Sequence, residues 1–537
     1  MKQEKTPLCL ATPKLSLVLA SGTVFCAVLS TNILPAQART PWRQPFHSDA
    51  IWNTPIGNSA SYSAPVGLGK SDEFAAPDVE YHYRGLNKDP EVSTGSYAGN
   101  IRFPYYAIPN MSHGSAPNNC TSYVQPDGNT LWQWQYFSRS GFGANLNLST
   151  MQVGTANQWG DIQLTDTWSE AEWGTHGGSM MSTLGGSIRR GELTGGANPS
   201  NVNNGDGDSI RHAMKLNVDG ARYLYNGTPN GDGRKGSGWR WPAFTADSCA
   251  PGCYGGNNPD FAIGSLLAIP ASTDLNTLNL ETKAGKKVAW TAKNFGFYIV
   301  DSSGWTANEI SVEKGVSQEL QAHYGAVSGN AFPASFGRDM MKIFARLAVV
   351  TNNSPSAFGG PGSRLTGRPA SLGGINTIAD GIYKIKSKAN GLYWDVPYAS
   401  TNNGVKIGLY TGNSNTNQRF QFRHYGNGYY TIKAVHSGKG VDISGVSLND
   451  GATVQQYDLP NPPSDNQLFS VIPLEGAFII EARHSDKAIQ IPNSDSPELR
   501  QYTTAGGKNN QLWHLEYVSA PLSSMRVQST SPSGQGF

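Results

Sequence analysis

Charged side chains make up only 15% of this 537-residue chain, and they nearly cancel, with 41 Lys and Arg against 39 Asp and Glu. So even a balance builds no basic field for nucleic acid and none for an anionic membrane surface. Cysteine is scarce too, at five residues, of which Cys9 and Cys26 lie near the amino terminus. The remaining three are too few for a disulfide scaffold, and no Cys/His pairs stand at zinc-finger spacing, so no metal site is expected. Cys249 and Cys253 are spaced to close a small loop in an oxidising compartment, which leaves Cys120 over. A pairing of Cys120 with either of them stays open, because the Cα separation that a disulfide needs is a spatial fact. Past the amino terminus no apolar run reaches the ~20 residues of a membrane-spanning helix. Three catalytic signatures are missing as well: the Gly-x-Ser-x-Gly elbow of serine hydrolases, the His-Glu-x-x-His of zinc proteases and a glycine-rich phosphate loop followed by Lys-Ser/Thr. No cofactor is expected.

Glycine, proline and aromatic residues are plentiful instead, with Gly 62, Pro 32, Trp 13 and Tyr 23. That composition suits a turn-rich β protein with aromatic contact surface. At the amino terminus Lys2, Lys5 and Lys14 precede an apolar run over residues 15–29, and Ala36 and Ala38 frame an Ala-Gln-Ala cleavage pattern. Residues 1–38 therefore read as a secretory signal peptide, and the mature chain is expected to be extracellular. Ser21, Gly22 and Thr23 interrupt the run, which argues against an uncleaved anchor.

Residues 39–352 read as one β-rich domain, sandwich- or jelly-roll-like with a few helices. Residues 130–137 partly alternate large apolar and polar side chains just after Asp127-Gly128, the pattern of a strand leaving a turn. Helical spacing of apolar residues occurs over 210–225, 280–298 and 336–350, and the last carries Met340, Met341, Ile343, Phe344, Leu347 and Ala348 as a stripe. Residues 353–378 are rich in Ser, Pro and Gly without periodicity, the composition of a flexible spacer. Residues 520–537 read as a disordered tail.

Between spacer and tail, residues 379–519 contain an internal repeat. Asn417-Gln-Arg-Phe420, Asn466-Gln-Leu-Phe469 and Asn510-Gln-Leu-Trp513 recur with Tyr410, Tyr457 and Tyr502 upstream of them. A unit this small cannot bury its own apolar face, so three are expected to close on a common axis. The segment resembles a ricin-type β-trefoil lectin module, with Phe replacing the signature Trp in two copies. The resemblance implies a shallow sugar pocket in each repeat, in which an early Asp accepts hydrogen bonds from sugar hydroxyls and an aromatic stacks on the ring. Asp395, Tyr410 and Asn417 match the first repeat, and Asp442, Tyr457 and Asn466 the second. Gln490 stands where the third Asp would be, so two competent pockets are expected.

The richest stretch of the first domain runs from Trp173 through His176, Arg189, Arg190 and Glu192 to Arg211 and His212. Polar side chains set among glycines can converge on a pocket. Glycoside hydrolysis needs two facing carboxylates, one of them protonated. Glu192 is the expected acid, Asp166 or Asp208 its partner, and Trp168 and Trp173 a stacking subsite. The rival chemistry is β-elimination on a uronic-acid polymer, with His176, His212 or Tyr298 as base or acid and Arg189 and Arg211 binding the uronate. The expectation is a secreted, monomeric polysaccharide-cleaving protein that binds its substrate through the lectin module, with hydrolysis preferred over elimination and a lectin or adhesin without turnover as the third reading.

Overall fold

The computed structural model describes most of the chain from Arg43 to Leu522; residues 1–42, 44, 47–48, 95–99, 107–119, 129, 136–137, 140–145, 148–161, 164–172, 197, 206–208, 366–377, 475, 493–496, 506–507 and 523–537 lie outside the described residues. The expected signal peptide, most of the expected tail, and Asp166, Trp168 and Asp208 fall among these. No helix among the described residues is long and apolar enough to cross a membrane.

The amino-terminal strands that matter here are β1 (Tyr62–Pro65), β2 (Phe74–Arg84), β3 (Thr121–Val124), β4 (Thr130–Trp134), β5 (Ile162–Gln163), β6 (Trp173–His176), β7 (Met214–Val218), β8 (Leu266–Ala268), β9 (Phe297–Ser302), β10 (Ala307–Glu313) and β11 (Ala348–Val350). All but β6 join one sheet in the order β1-β11-β8-β9-β7-β10-β2-β3-β4-β5. The pairs β7/β9, β10/β2 and β2/β3 are parallel, and β7/β10 is antiparallel. Helix α1 (Lys283–Asn294) lies on the connection from β7 to its parallel neighbour β9, and α2 (Val316–Tyr324) and α3 (Ala334–Phe344) lie between β10 and β11. The protein is mainly β, as expected, but these strands form a single mixed sheet with helices packed on it rather than two facing sheets. Crossover connections, not hairpins alone, set that outcome.

The helix expectations were met at two of three places. The Thr282 hydroxyl caps α1 by accepting from the Gly285 amide at 2.8 Å. The Asp339 carboxylate on α3 accepts from the Glu281 and Thr282 amides, both at 2.8 Å, which ties the two helices together. Both segments then leave the helix after Asn294 and Phe344 and continue as strands β9 and β11. Residues 210–225 are different: they form the central strand β7 and only a four-residue helical turn, Gly220–Tyr223. Met214, Leu216 and Val218 face one side and Lys215 and Asn217 the other, so a period of two explains the pattern as well as 3.6. All five are buried, as a strand with neighbours on both edges requires.

The first part of the expected spacer is packed instead. Asn58 and Ser59 donate backbone bonds to Ser363 and Pro361 at 2.9 and 3.1 Å, and the Gly359 amide donates to Asn353 Oδ1 at 2.8 Å. Residues 353–365 thus close the amino-terminal domain. The spacer reading over 366–377 lies outside the described residues.

The carboxy-terminal domain is a thirteen-stranded β structure in three similar lobes. Phe420, Phe469 and Trp513, the aromatic ends of the three repeats, are fully buried. Trp394 meets Phe420 and Trp513 edge to face at 5.7 and 5.3 Å, so the repeat signature marks the residues that close the common core. Phe fills that role as well as Trp.

Candidate active site and glycan pockets

Four adjacent strands carry a row of polar side chains through the middle of the sheet. Asn217 on β7 lies opposite Asp301 on β9 and Glu309 on β10, and Ser311 on β10 lies opposite Asp78 on β2. Asn217 Nδ2 and the Ser311 hydroxyl both donate to Asp78 Oδ2 at 3.2 Å. His176, at the end of β6, brings Nε2 to 3.4 Å from the same oxygen and Nδ1 to 2.7 Å from Glu80 Oε1. Lys215 Nζ donates to Glu80 at 2.5 Å and to the Thr183 carbonyl at 2.7 Å. Gln133 on β4 holds the following loop, accepting from the Thr183 amide and the Ser182 hydroxyl at 2.6 and 3.0 Å.

Electrostatics divides this row. Burial, reinforced by the charge on Asp78, pushes the Glu309 carboxyl up to about 7. Asp301 rises well above the usual carboxylate range through burial and the neighbouring Asp247 carboxyl. Glu80 goes the other way: burial alone would raise it, but Lys215 and His176 more than offset that. Acids shifted upward therefore stand in the same row as Glu80, which is shifted downward, the separation that acid–base chemistry uses.

The loop after His176 shows why glycines mark the site. A Cβ at Gly177 would sit 2.2 Å from Asp301 Cγ, and one at Gly178 2.6 Å from Asp247 Oδ1. Only bare backbone fits under the two carboxyl groups, and it is used: the Gly178 amide donates to Asp301 Oδ1 at 2.9 Å. Tyr254 donates to Asp247 Oδ2 at 2.5 Å. Asp247 and Tyr254 flank the disulfide between Cys249 and Cys253, whose Cα atoms are 5.5 Å apart, while Cys120 is a buried free thiol.

Two aromatic surfaces adjoin the row. Trp305 is 43% exposed, packs edge-on against Phe74 at 5.3 Å and donates its indole N–H to Glu309 Oε1 at 2.9 Å. Trp173 meets Phe244 at 4.6 Å, and both line a depression with Met180 and Thr245. Glu80, Cys120 and His176 bring one ligand atom each within 4.8 Å of one another, the only such trio among the described residues. It does not fit a cation, because Lys215 already neutralises Glu80, and burial holds the Cys120 thiol protonated.

Of the residues singled out in the sequence, His176 and Trp173 lie at this row. The others do not converge there. Glu192 accepts from the Arg189 amide at 2.6 Å and pairs with His212 Nε2 at 3.2 Å. Burial would raise its carboxyl, but His212 and Arg43 hold it below the ordinary value, so it stays ionised and the acid role expected for it is corrected. His212 is buried and bonds the Ala213 carbonyl through Nδ1 at 2.8 Å. Arg189 is buried on the Ser187 carbonyl at 2.9 Å, and Tyr298 is buried edge-on against Trp52 at 5.5 Å. Arg211 lies over Trp290 at 5.2 Å. These five build the domain's interior framework. Sequence reasoning does not reach Asp78, Asn217, Asp247, Asp301, Trp305 and Glu309, because strands and loops distant in sequence bring them together. The period-two burial of Lys215 and Asn217 was the one local signal.

In the carboxy-terminal domain the Asp and Asn residues matched to each of the first two repeats hydrogen-bond to one another. Asp395 Oδ1 accepts from Asn417 Nδ2 at 2.9 Å and Gln418 Nε2 at 3.0 Å. Asp442 accepts from Gln455 at 2.9 Å and Asn466 at 2.8 Å. Tyr410 and Tyr457 are 63% and 44% exposed. Asp442, Gln455, Tyr457 and Asn466 line an open pocket in the second repeat. In the third repeat Gln490 accepts instead from Gln511 at 2.7 Å.

Residues 374–457 match the family model described as ricin-type beta-trefoil lectin domain-like, and no curated protein matches the chain. Among solved structures, the designed threefold-symmetric protein ThreeFoil is 36% identical over 26% of this chain and 100% of its own, with a TM-score of 0.25. An exo-beta-1,3-galactanase from Clostridium thermocellum is 27% identical over 28% of this chain and 33% of its own, TM-score 0.25. The Rhizoctonia solani agglutinin is 18% identical over 26% and 98%, TM-score 0.24. The family match thus places a lectin-like domain at residues 374–457; the amino-terminal domain is matched by none of these.

Proposed function

We propose that a chain whose carboxy-terminal quarter is a ricin-type lectin-like domain uses its amino-terminal domain to cleave the polysaccharide which that module binds, outside the cell. The observation that carries this reading is Glu309: a buried carboxyl that keeps its proton to about pH 7, hydrogen-bonded to the half-exposed indole of Trp305. A proton-holding acid at the edge of an exposed aromatic ring suits departure of a glycosidic oxygen, since the acid donates its proton while the ring face is open to a sugar. Asp78 is the neighbouring carboxylate that would stabilise positive charge at the anomeric centre or activate water.

One observation favours elimination as a second reading. Asn217, with Asp301 and Glu309 whose carboxyls are held above their ordinary values, could donate to a uronate carboxylate with little opposing charge. Purified protein with neutral and uronate-containing polysaccharides separates the two: hydrolysis releases reducing ends alone, and elimination adds the ultraviolet absorbance of an unsaturated uronate. If the reaction is hydrolysis, Glu309→Gln should lower turnover on the order of 10²- to 10⁴-fold, the worth of a positioned proton donor. Full activity in that variant, with its fold intact, would remove the assignment.

A further inference from the structure

The third lectin repeat differs from the second where it meets the amino-terminal domain. Arg483 lies between Asp89 of the amino-terminal domain and Asp465, 2.6 Å from each, and Lys88 pairs with Asp465 from the same side. Arg483 and Asp89 are almost wholly buried. Next to them Arg190 reaches Glu481 and, at 3.1 Å, the Thr504 hydroxyl, which itself donates to Glu481 at 2.5 Å. Arg43 donates to the Pro473 carbonyl at 2.7 Å. Asn427, at the turn entering the second repeat, donates to the Gly85 and Gln125 carbonyls at 2.6 and 2.7 Å, and Arg84 stacks on Tyr429 at 4.3 Å.

The repeat allows a comparison within one molecule. The strand Tyr429–Ala434 corresponds to Ala477–Ala482, so Glu481 stands where the second repeat has Lys433, and Arg483 where it has Val435. The Val435 and Arg483 amides make the same bond, to Arg419 and Leu468 carbonyls at 2.9 and 2.8 Å. Thr504 corresponds to Leu459, which lines the open glycan pocket of the second repeat. A lysine has thus become a glutamate facing Arg190, an apolar residue has become an arginine facing Asp89, and a pocket-rim position is buried under the other domain.

We infer that the third repeat is an interaction surface for the amino-terminal domain, and that the two domains hold together without the segment that connects them. Such buried, paired charges are costly to break on one side only. The interface fixes the first two glycan pockets relative to the candidate active site rather than leaving them on a tether. This inference is independent of whether the amino-terminal domain is a catalyst.

A protease site placed within residues 366–377 of the full chain tests it. After cleavage the two pieces should still co-elute in gel filtration at micromolar concentration and unfold in one calorimetric transition. Separate elution of folded pieces would overturn the inference. In the cut Arg190→Ala/Arg483→Ala protein, association should weaken by at least about 100-fold. Glu481→Gln, nearly isosteric, should weaken it in the same direction if the double variant folds poorly. Association as tight as in the parent for folded variants would equally overturn the role given to these contacts. No sugar enters the readout, so the outcome does not depend on the lectin reading.

Discussion

Glu309 gathers three influences whose removal has a known sign. Burial and Asp78 raise its carboxyl to about 7, and the Trp305 indole opposes them by stabilising the ionised form. If Glu309 is the proton donor, activity falls as pH rises through about 7. Trp305→Phe removes the opposing hydrogen bond and should move that limb to higher pH, while Asp78→Asn should move it to lower pH. A pH–rate profile of both variants measures the shifts, and equal limbs in both would disconnect the limb from Glu309. Stability follows the same proton. A carboxyl raised above its unfolded value binds its proton more tightly in the folded state, so its contribution is full below about pH 4.5 and is lost as pH rises through about 7. Glu319, buried and also raised to about 7 despite Arg190, adds to the same window. Denaturant unfolding should therefore show stability declining between pH 5 and 8 by on the order of a few kcal/mol, and Glu309→Gln should flatten the decline. Little of this was legible from the chain, because Asp78, which raises Glu309, comes from a strand more than two hundred residues away, and Trp305 is brought to Glu309 by the turn between strands.

Strand β7 holds the site together. Lys215 is its one buried cation, bonded to Glu80 and to two loop carbonyls, and Asn217 two residues on reaches Asp78 from the same face. Removing one partner leaves the other charged and buried, so Lys215→Met should cost about 3–5 kcal/mol. The double variant Lys215→Met/Glu80→Gln should recover a large part of that loss, because no charge is then stranded. Denaturant midpoints of the three variants check it, and a double variant less stable than either single one would contradict the pairing. The apolar spacing of residues 210–225 hid this strand, since four or five apolar positions satisfy either period. What decides between them is the pair of neighbouring strands, one of them eighty residues downstream. The helices α1 and α3 were legible for the opposite reason: an N-cap threonine and a sustained apolar face are local properties. The glycine-rich loop after His176 was legible as a place where something converges, although not as to which carboxyl groups do.

In the molecule as a whole the lectin-like domain was readable in its fold, because a threefold repeat states its architecture and its core aromatics three times over. The amino-terminal domain offers one copy of each feature, and its site is assembled by topology. If the module serves substrate capture, Asp395→Ala/Asp442→Ala should abolish retention on a polysaccharide column yet leave turnover of short soluble fragments within about twofold of the parent. Turnover on long or insoluble chains should then fall by the factor that local concentration supplied, up to about 10²-fold. The nature of that gain distinguishes a docked module from a tethered one. For a tether, lengthening the spacer spreads the module over a larger volume and lowers the gain with spacer length. For a module seated on Arg190 and Asp89, ten extra glycine and serine residues within 366–377 should change nothing, because the interface and not the spacer sets the separation. Rates on insoluble substrate with and without the insertion decide it. A gain that shrinks on insertion in the parent, and no further in Arg190→Ala/Arg483→Ala, would mean that the connection alone positions the pockets.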